Sequence, residues 1–153
     1  MKKLLIIGGA IVAIFILIVV LSNKSDEAKL IDNPYGTDKL AKPTIALIGN
    51  EHYNNIVLPE TLAEKINAGE SVTAYYFHPE CQYCMQMTPV MMPIAKEMGV
   101  NVLQYNMLEF PHPPEITSWP MLVHYEDGQE VGRMGGAQPE ENIRAFFTEF
   151  ESK

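Results

Sequence analysis

The arrangement that most restricts the fold of this chain is a strand-like run that leads directly into two cysteines and a helical pattern. Residues 71–77, "SVTAYYF", are rich in β-branched and aromatic side chains and predict a central strand. Cys81 and Cys84 follow at once, and residues 82–98 carry apolar side chains at helical spacing. We therefore expect Cys81 at a helix N-terminus, where backbone N–H groups are unpaired.

This position of Cys81 favours thiol–disulfide chemistry. The nucleophile in disulfide exchange is the thiolate, and the N–H groups and dipole of a helix N-terminus favour an anion. Cys84 lies one turn further along on nearly the same face, so that the two sulfurs can approach within bonding distance. We expect Cys81 to attack a substrate disulfide and Cys84 to resolve the mixed disulfide. Such exchange needs no cofactor beyond the redox-active disulfide Cys81–Cys84.

The rest of the chain alternates strand and helix signals around this motif. The remaining segments are, in chain order, short apolar runs at 44–49 and 56–58, a helix from Pro59 toward Gly69, a strand within 100–107, a proline-rich loop at 108–118, a hairpin over 121–134 and an amphipathic helix at 139–150. The two short runs predict edge strands, and Asp127-Gly128 is a strong hairpin-turn signal. A helix between two strands implies a parallel crossover, so we predict an α/β fold with a mixed central sheet flanked by helices.

Prolines and methionines mark the helix predicted over residues 82–98. Pro89 should kink this helix, because its ring clashes with the carbonyl of Met85, and Pro93 weakens it further. Gly99 is expected to end it. The apolar residues that share one face predict a core contact; they are Met87, Met91, Ile94, Ala95 and Met98.

The N-terminus predicts a membrane-spanning segment. Leu4 to Leu21 is a stretch of 18 residues without a charge, and as a helix it would span roughly 27 Å, close to the hydrocarbon thickness of a bilayer. Its length and the poor cleavage residues after it favour a retained anchor over a cleaved signal peptide. Lys2 and Lys3 favour a cytoplasmic N-terminus. The remaining domain would then lie on the extracytoplasmic side of a cell membrane that the chain crosses once.

Composition divides the chain into four predicted parts. They are a cytoplasmic N-terminus at 1–3, a transmembrane anchor at 4–21, a polar tether at 22–44 and a folded domain at 45–153. The chain holds 11 Lys and Arg against 19 Asp and Glu. Because an acidic domain repels phosphate backbones and anionic headgroups, we expect neither nucleic-acid binding nor a domain that lies flat on the bilayer.

The ordered motifs resemble those of the thioredoxin superfamily over about residues 56–151. "FHPECQYC" ends a strand as the active-site motif of that family does, and Pro89 lies five residues after Cys84, where thioredoxins carry a helix-kinking proline. "SWPMLVHYEDGQEVGRMGG" is similar to the family's succession of cis-proline, strand, turn, strand and glycine. The resemblance implies a thioredoxin-like fold, a cis-proline at Pro120 beside the disulfide, and a Trp119 backbone that pairs with substrate peptide.

Several positions depart from the family pattern. Glu80 stands where thioredoxins have a tryptophan, and Tyr75 stands where they have a buried aspartate that assists proton transfer at the second cysteine. The dipeptide between the cysteines, Gln82-Tyr83, is neither the Gly-Pro of thioredoxins nor the Pro-His of disulfide-forming oxidases. Since this dipeptide tunes the redox potential in the family, the direction of electron flow stays open.

Three side chains near the cysteines are candidates for a role in the chemistry. His78 is a candidate cation beside the Cys81 thiolate, and Glu80 would oppose that thiolate if its charge lay close. Trp119 is a candidate platform for substrate. The alternatives are an exposed loop histidine, a solvated glutamate and a packed tryptophan.

The leading hypothesis is a membrane-anchored thiol–disulfide oxidoreductase that acts on extracytoplasmic protein thiols and disulfides and exchanges electrons with a membrane redox partner. The alternative is a thioredoxin-fold copper-binding protein or metallochaperone, since His78, the two cysteines and the following methionines are ligands that suit Cu(I). The methionines also fit a helix core, and two cysteines are too few for structural zinc, so the leading hypothesis includes no metal site. A third hypothesis is a partner-binding domain without catalysis.

Overall fold

The computed structural model describes the backbone of residues 2–151 and the side chains of residues 7–150. Met1 and the side chains of Lys2 and Lys3, on which the predicted cytoplasmic N-terminus depends, lie outside this part. The helices are α1 (Lys2–Leu30), α2 (Lys42–Leu47), α3 (Pro59–Asn67), α4 (Gln82–Met98) and α5 (Glu140–Glu151). The strands are β1 (Val72–Phe77), β2 (Val102–Asn106), β3 (Met121–Glu126) and β4 (Gln129–Gly135).

The four strands form one mixed sheet in the order β2-β1-β3-β4. β1 pairs in parallel with β2, so that Phe77 and Asn106 face each other at the same end of the sheet. β3 runs antiparallel to both β1 and β4. This arrangement confirms the predicted mixed sheet and the thioredoxin-like fold.

The central strand β1 is buried along its whole length, and its alternating side chains supply both faces of the core. Tyr75 and Phe77 pack with residues of α4 and α5 on one face. Ala74 and Tyr76 pack on the other face with α3 and the loop after β2. The helices therefore cover both faces, as an internal strand of this type requires.

Helix α4 begins and ends where the sequence predicts. Cys81 is its N-cap residue, and Gly99 follows its last residue with a φ of 74°, a left-handed conformation that glycine adopts without strain. Pro89 and Pro93 lie inside the helix. The predicted core face is confirmed at Met87, Met91, Ile94 and Ala95, which are buried.

The hairpin turn is also confirmed. Asp127 and Gly128 connect β3 to β4 with φ values of 50° and 78°, the positive values that a two-residue type I′ turn needs. The register of the two strands shifts between His124 and Tyr125, which is a bulge next to the turn.

The predicted edge strand at residues 44–49 is wrong, because residues 42–47 form α2. Pro43 lies in the first turn of this helix, a position where its missing N–H costs nothing, and Thr44 and Ile45 are buried. A short apolar run cannot be assigned to strand or helix from periodicity alone. The second short run, 56–58, makes only an isolated parallel bridge from Ile56 to Gln104.

Helix α1 contains the candidate membrane span. Residues Ile7–Leu30 are long and apolar enough to cross a bilayer, and no residue in their apolar 18-residue window is buried. The apolar side chains of this helix, such as Phe15 at 64% exposure, would meet water in the absence of a bilayer. A core helix of a soluble protein would instead be mostly buried.

The segment between α1 and α2 packs on the domain instead of hanging free. Asn33 donates hydrogen bonds from its side-chain amide to the carbonyls of Leu30 and Thr37. Tyr35 is buried and accepts a hydrogen bond of 2.9 Å from the Asn106 side chain. We call residues 33–44, which end within the first turn of α2, the strap. The first part of the predicted tether is therefore helical, since α1 continues to Leu30. The later part packs against the end of the sheet where β2 ends at Asn106.

Candidate active site

Cys81 lies at the junction of a strand and a helix, as the sequence predicts. After β1 ends at Phe77, the Cys81 N–H donates to the His78 carbonyl at 3.0 Å and closes a tight turn. The Cys81 sulfur accepts a hydrogen bond of 3.2 Å from the backbone N–H of Cys84. The side chain is partly exposed. One of the free N–H groups in the first turn of α4, that of Cys84, is thus directed at an accessible sulfur.

Cys84 lies one turn further into α4 and is fully buried. Burial raises the pKa of its thiol well above the usual value, and the hydrogen bond with Cys81 raises it further. Contacts with the His78 backbone and the Tyr75 side chain act in the opposite direction. The pair therefore consists of one accessible sulfur and one sulfur shielded from water.

The loop before β3 also contacts Cys81, through the carbonyl of Trp119. The Trp119-Pro120 peptide bond is cis, which confirms the conformation that the resemblance implied for Pro120. The Cys81 thiol lies 3.6 Å from the Trp119 carbonyl oxygen and donates to it. Trp119 and Pro120, the two predicted substrate contacts, thus lie next to Cys81. Their role in binding substrate stays a prediction.

His78 contacts both Trp119 and Glu80. The His78 ring stacks on Trp119, with 5.4 Å between ring centroids and 17° between planes. Its Nδ1 accepts a hydrogen bond from the Glu80 N–H at 3.2 Å, and the Glu80 side chain is exposed. The described contacts of His78 therefore orient it toward Trp119, and its effect on the thiolate stays a prediction.

His112 is a neighbour of the site that sequence reasoning missed. Its ring meets Trp119 edge-on at a centroid distance of 5.6 Å, and its Nε2 lies 2.5 Å from the carbonyl of Met107. Trp119 is thus flanked by two imidazoles. The position of His112 in a proline-rich loop gave no periodic signal from which this contact could be predicted.

A set of buried hydroxyl groups behind Cys84 was also missed. The Tyr75 hydroxyl lies 2.9 Å from the Thr88 hydroxyl, and the Thr88 hydroxyl donates to the carbonyl of Cys84 at 2.7 Å. The Thr88 position, four residues after Cys84 on the helix, is a detectable signal, because a threonine there can bond back to the preceding turn.

Two methionines of α4 have a packing role that accounts for their spacing. Met87 and Met91 lie in the core with Phe77 and Phe147. In the part of the chain that the structure describes, no cluster of three or more His, Cys, Asp or Glu side chains is arranged to hold a metal ion. The core thus explains the spacing of Met87 and Met91, on which the copper hypothesis partly rested, whereas Met85 is 51% exposed and Met92 is partly buried.

These features define a class of protein: a mixed sheet between helices, with a two-cysteine motif at a helix N-terminus beside a cis-proline. The Thioredoxin family model matches residues 53–149. The chain therefore belongs to the thioredoxin family, and its N-terminal helix lies outside the matched region.

Relatives of known identity agree with this assignment. The chain is 30% identical over 92 residues to the thioredoxin of Chlamydia trachomatis, across 58% of this chain and 89% of that protein. The thioredoxin of Chlamydia muridarum gives the same identity and coverage. The solved structure of Fasciola hepatica thioredoxin superposes with a TM-score of 0.51 at 25% identity, over 60% of this chain and 89% of that one. A mutant thioredoxin from Halobacterium salinarum, with a TM-score of 0.51 at 20% identity over 62% and 88% of the two chains, shows the fold alone.

Proposed function

We propose that this protein is a thiol–disulfide oxidoreductase that acts on the thiols and disulfides of other proteins. The observation that carries the proposal is the hydrogen bond from the Cys84 N–H to the accessible Cys81 sulfur at the N-terminus of α4. An N–H group directed at a sulfur stabilises the charge of the attacking thiolate. Membership of the thioredoxin family supports the same reaction.

The proposed reaction has two steps. The Cys81 thiolate attacks one sulfur of a substrate disulfide, a bond forms between Cys81 and that sulfur, and the other substrate sulfur leaves as a thiolate. Cys84 then attacks the Cys81 sulfur, which forms the Cys81–Cys84 disulfide and releases the second substrate thiolate. Two electrons pass from the protein to the substrate, and the reverse sequence would oxidise a substrate dithiol.

The cis-proline loop is the proposed contact for substrate backbone. The Trp119 carbonyl lies beside the Cys81 thiol, and Pro120 is buried next to it. An extended substrate peptide that pairs with the backbone of Trp119 would bring its sulfur to Cys81 without a change in the fold. Trp119 is only half-buried, so its ring has surface left for such a peptide.

We also propose that the domain acts outside the cytoplasm, tethered by α1, and exchanges electrons with a membrane redox protein. The apolar helix Ile7–Leu30 supports membrane attachment. The two lysines before it support an outward-facing domain. The strap supports a membrane partner, because it keeps the domain close to the end of that helix.

The reaction can be tested with the full chain in detergent micelles and a disulfide-linked peptide as substrate. We expect turnover with a thiol reductant, no turnover by Cys81→Ser, and a covalent adduct with peptide on Cys84→Ser. Full exchange activity in Cys81→Ser would contradict the proposal. Stoichiometric Cu(I) in the purified protein, together with inactivity toward the peptide, would instead favour the copper hypothesis.

A further inference from the structure

Three buried hydroxyl groups surround Cys84 on the side away from solvent. The hydroxyls of Tyr75 and Thr88 are 2.9 Å apart, and Thr88 donates to the Cys84 carbonyl at 2.7 Å. The Tyr75 hydroxyl acts on the Cys84 thiol through a side-chain hydrogen bond that lowers the thiol pKa, and Thr88 acts in the same way on the pKa of Tyr53. No buried polar side-chain atom in the described part of the chain lacks a hydrogen-bond partner, so the hydrogens of this cluster can be assigned.

A count of donors fixes the direction of each bond. One hydroxyl carries one hydrogen and two lone pairs. Thr88 gives its hydrogen to the Cys84 carbonyl, so in its bond with Tyr75 it is the acceptor. Tyr75 can then donate to Thr88, and its lone pairs can accept from the Cys84 S–H while that thiol is protonated. The bonds close a ring from the Cys84 thiol through Tyr75 and Thr88 to the carbonyl of the same cysteine.

The hydrogen bond between Tyr75 and Cys84 can reverse its direction without leaving a polar group unpaired. When Cys84 loses its proton, the sulfur only accepts, and the Tyr75 hydroxyl can turn its hydrogen from Thr88 to the sulfur. Thr88 keeps its own bond to the Cys84 carbonyl, and Tyr53, whose pKa Thr88 lowers, is the hydroxyl that can take the place of Tyr75 as its donor. Burial raises the pKa of Tyr75 well above its usual value, so the hydroxyl keeps the hydrogen that it donates.

We propose that Tyr75 is a further catalytic residue, which contacts Cys84 and stabilises its thiol and its thiolate in turn through the ring with Thr88. This inference rests on the proposed function and concerns the second step of the exchange. In that step Cys84 gives its proton to solvent, its thiolate attacks Cys81 in the mixed disulfide, the Cys81–Cys84 bond forms and the bond from Cys81 to substrate breaks. The electron pair of the broken bond leaves with the substrate sulfur. Tyr75 supplies the hydrogen bond that a buried thiolate otherwise lacks.

The second step can be observed separately from the first. The full chain in detergent micelles is mixed with an aromatic disulfide that releases one coloured thiolate at each step. The first release reports attack by Cys81 and scales with reagent concentration, whereas the second reports attack by Cys84 and does not. Rates of both releases are then measured as a function of pH.

Two substitutions are expected to shift the pH profile of the second release in opposite directions. Tyr75→Phe removes the donor to the thiolate, so the second release should slow about tenfold or more at neutral pH and its profile should move to higher pH. Thr88→Val removes the acceptor that competes for the Tyr75 hydrogen, so the profile should move to lower pH. Thr88→Ser restores the hydroxyl and should restore the wild-type profile.

Controls separate this effect from a change in packing. The titratable side chains that face Cys84 within the described residues are Cys81, Tyr75 and Tyr53, and Tyr75→Phe leaves the other two in place. Tyr76→Phe is the matched control, because that hydroxyl pairs with Tyr125 at 3.0 Å on the other face of the sheet. It should leave both releases unchanged.

Opposite shifts in Tyr75→Phe and Thr88→Val, with recovery in Thr88→Ser, would support the ring. Unchanged pH profiles, or shifts in the same direction, would overturn the proposed ring. Disulfide exchange would still be supported in that case, provided that the wild type gives both releases. If Tyr75→Phe does not fold, the Thr88→Val and Thr88→Ser pair decides. A wild type that gives neither release would instead refute the proposed function.

Discussion

The side-chain amide of Asn106 donates a hydrogen bond of 2.9 Å to the hydroxyl of Tyr35, a residue 71 positions earlier in the chain. The same amide also donates to the Thr44 hydroxyl at 3.2 Å. Asn106 is the last residue of β2 and pairs in register with Phe77, the last residue of β1. The strap is therefore attached at the end of the sheet from which the chain proceeds to Cys81.

Tyr35→Phe is expected to loosen the strap. The substitution leaves a fully buried amide without one partner, which costs about 1–2 kcal/mol of unfolding free energy. Urea unfolding of the full chain in micelles, followed by the fluorescence of Trp119, measures the loss. Tyr83→Phe, at a position that is 62% exposed, should leave the unfolding midpoint unchanged. An equal midpoint in both variants would show that the strap hydrogen bond contributes nothing.

Stability should fall at alkaline pH because of buried tyrosines. Burial raises the pKa of Tyr35 to about 12, and burial also raises the pKa of Tyr53 and Tyr125. An unfolded tyrosine ionises near pH 10, so above that pH the unfolded state loses protons that the folded state keeps, and folding weakens. The stabilising contribution is complete below pH 10 and is lost as pH rises toward about 12.

Urea unfolding at a series of pH values from neutral to about 11 would measure this decline. Tyr35→Phe should show a shallower decline than the wild type, because one of the shifted groups is absent. A decline of identical slope in the two proteins would contradict the assignment to Tyr35.

Gly132→Ala should destabilise the contact between β4 and the C-terminal helix. A methyl group at this position would overlap the ring of Phe150, which stacks on the buried His124 with ring centroids 4.9 Å apart. The ring would have to move and lose that contact, at a cost of about 1–3 kcal/mol. Thermal or urea unfolding measures the change.

The exposed neighbour Val131 supplies the control for this prediction, since Val131→Ala alters a side chain that is 46% exposed and should change stability little. The combination of Gly132→Ala with Phe150→Ala should be less destabilising than the sum of the two single changes, because both remove the same contact. Strict additivity would show that the methyl group and the ring do not meet.

The side of the membrane can be read from Cys81 itself. The chain has two cysteines, and Cys84 is fully buried, so a membrane-impermeant thiol reagent reports on Cys81 alone. We expect labelling in intact cells that express the full chain and no labelling of Cys81→Ser. Labelling that requires permeabilised cells would place the domain in the cytoplasm and contradict the proposed location.

Local patterns in the sequence predicted the elements that carry the site. A strand signal, two cysteines and a glycine were enough for the bounds of α4, because capping and termination depend on residues within one turn of the helix ends. The turn at Asp127-Gly128 was predictable for the same reason. The error at residues 44–49 arose where the apolar run was too short for a helix period to be distinguished from a strand.

The sequence by itself therefore determined the α/β order, the place of Cys81 at a helix N-terminus and an apolar N-terminal helix, since each follows from residues close together in the chain. Only the tertiary structure decided which hydroxyls surround Cys84, that His112 contacts Trp119, and that Tyr35 binds Asn106. Tyr35 and Asn106 are 71 positions apart, Tyr75 and Thr88 lie on different elements, and His112 meets Trp119 within one irregular loop. Periodicity shows which face of an element is buried but not which side chain it meets there.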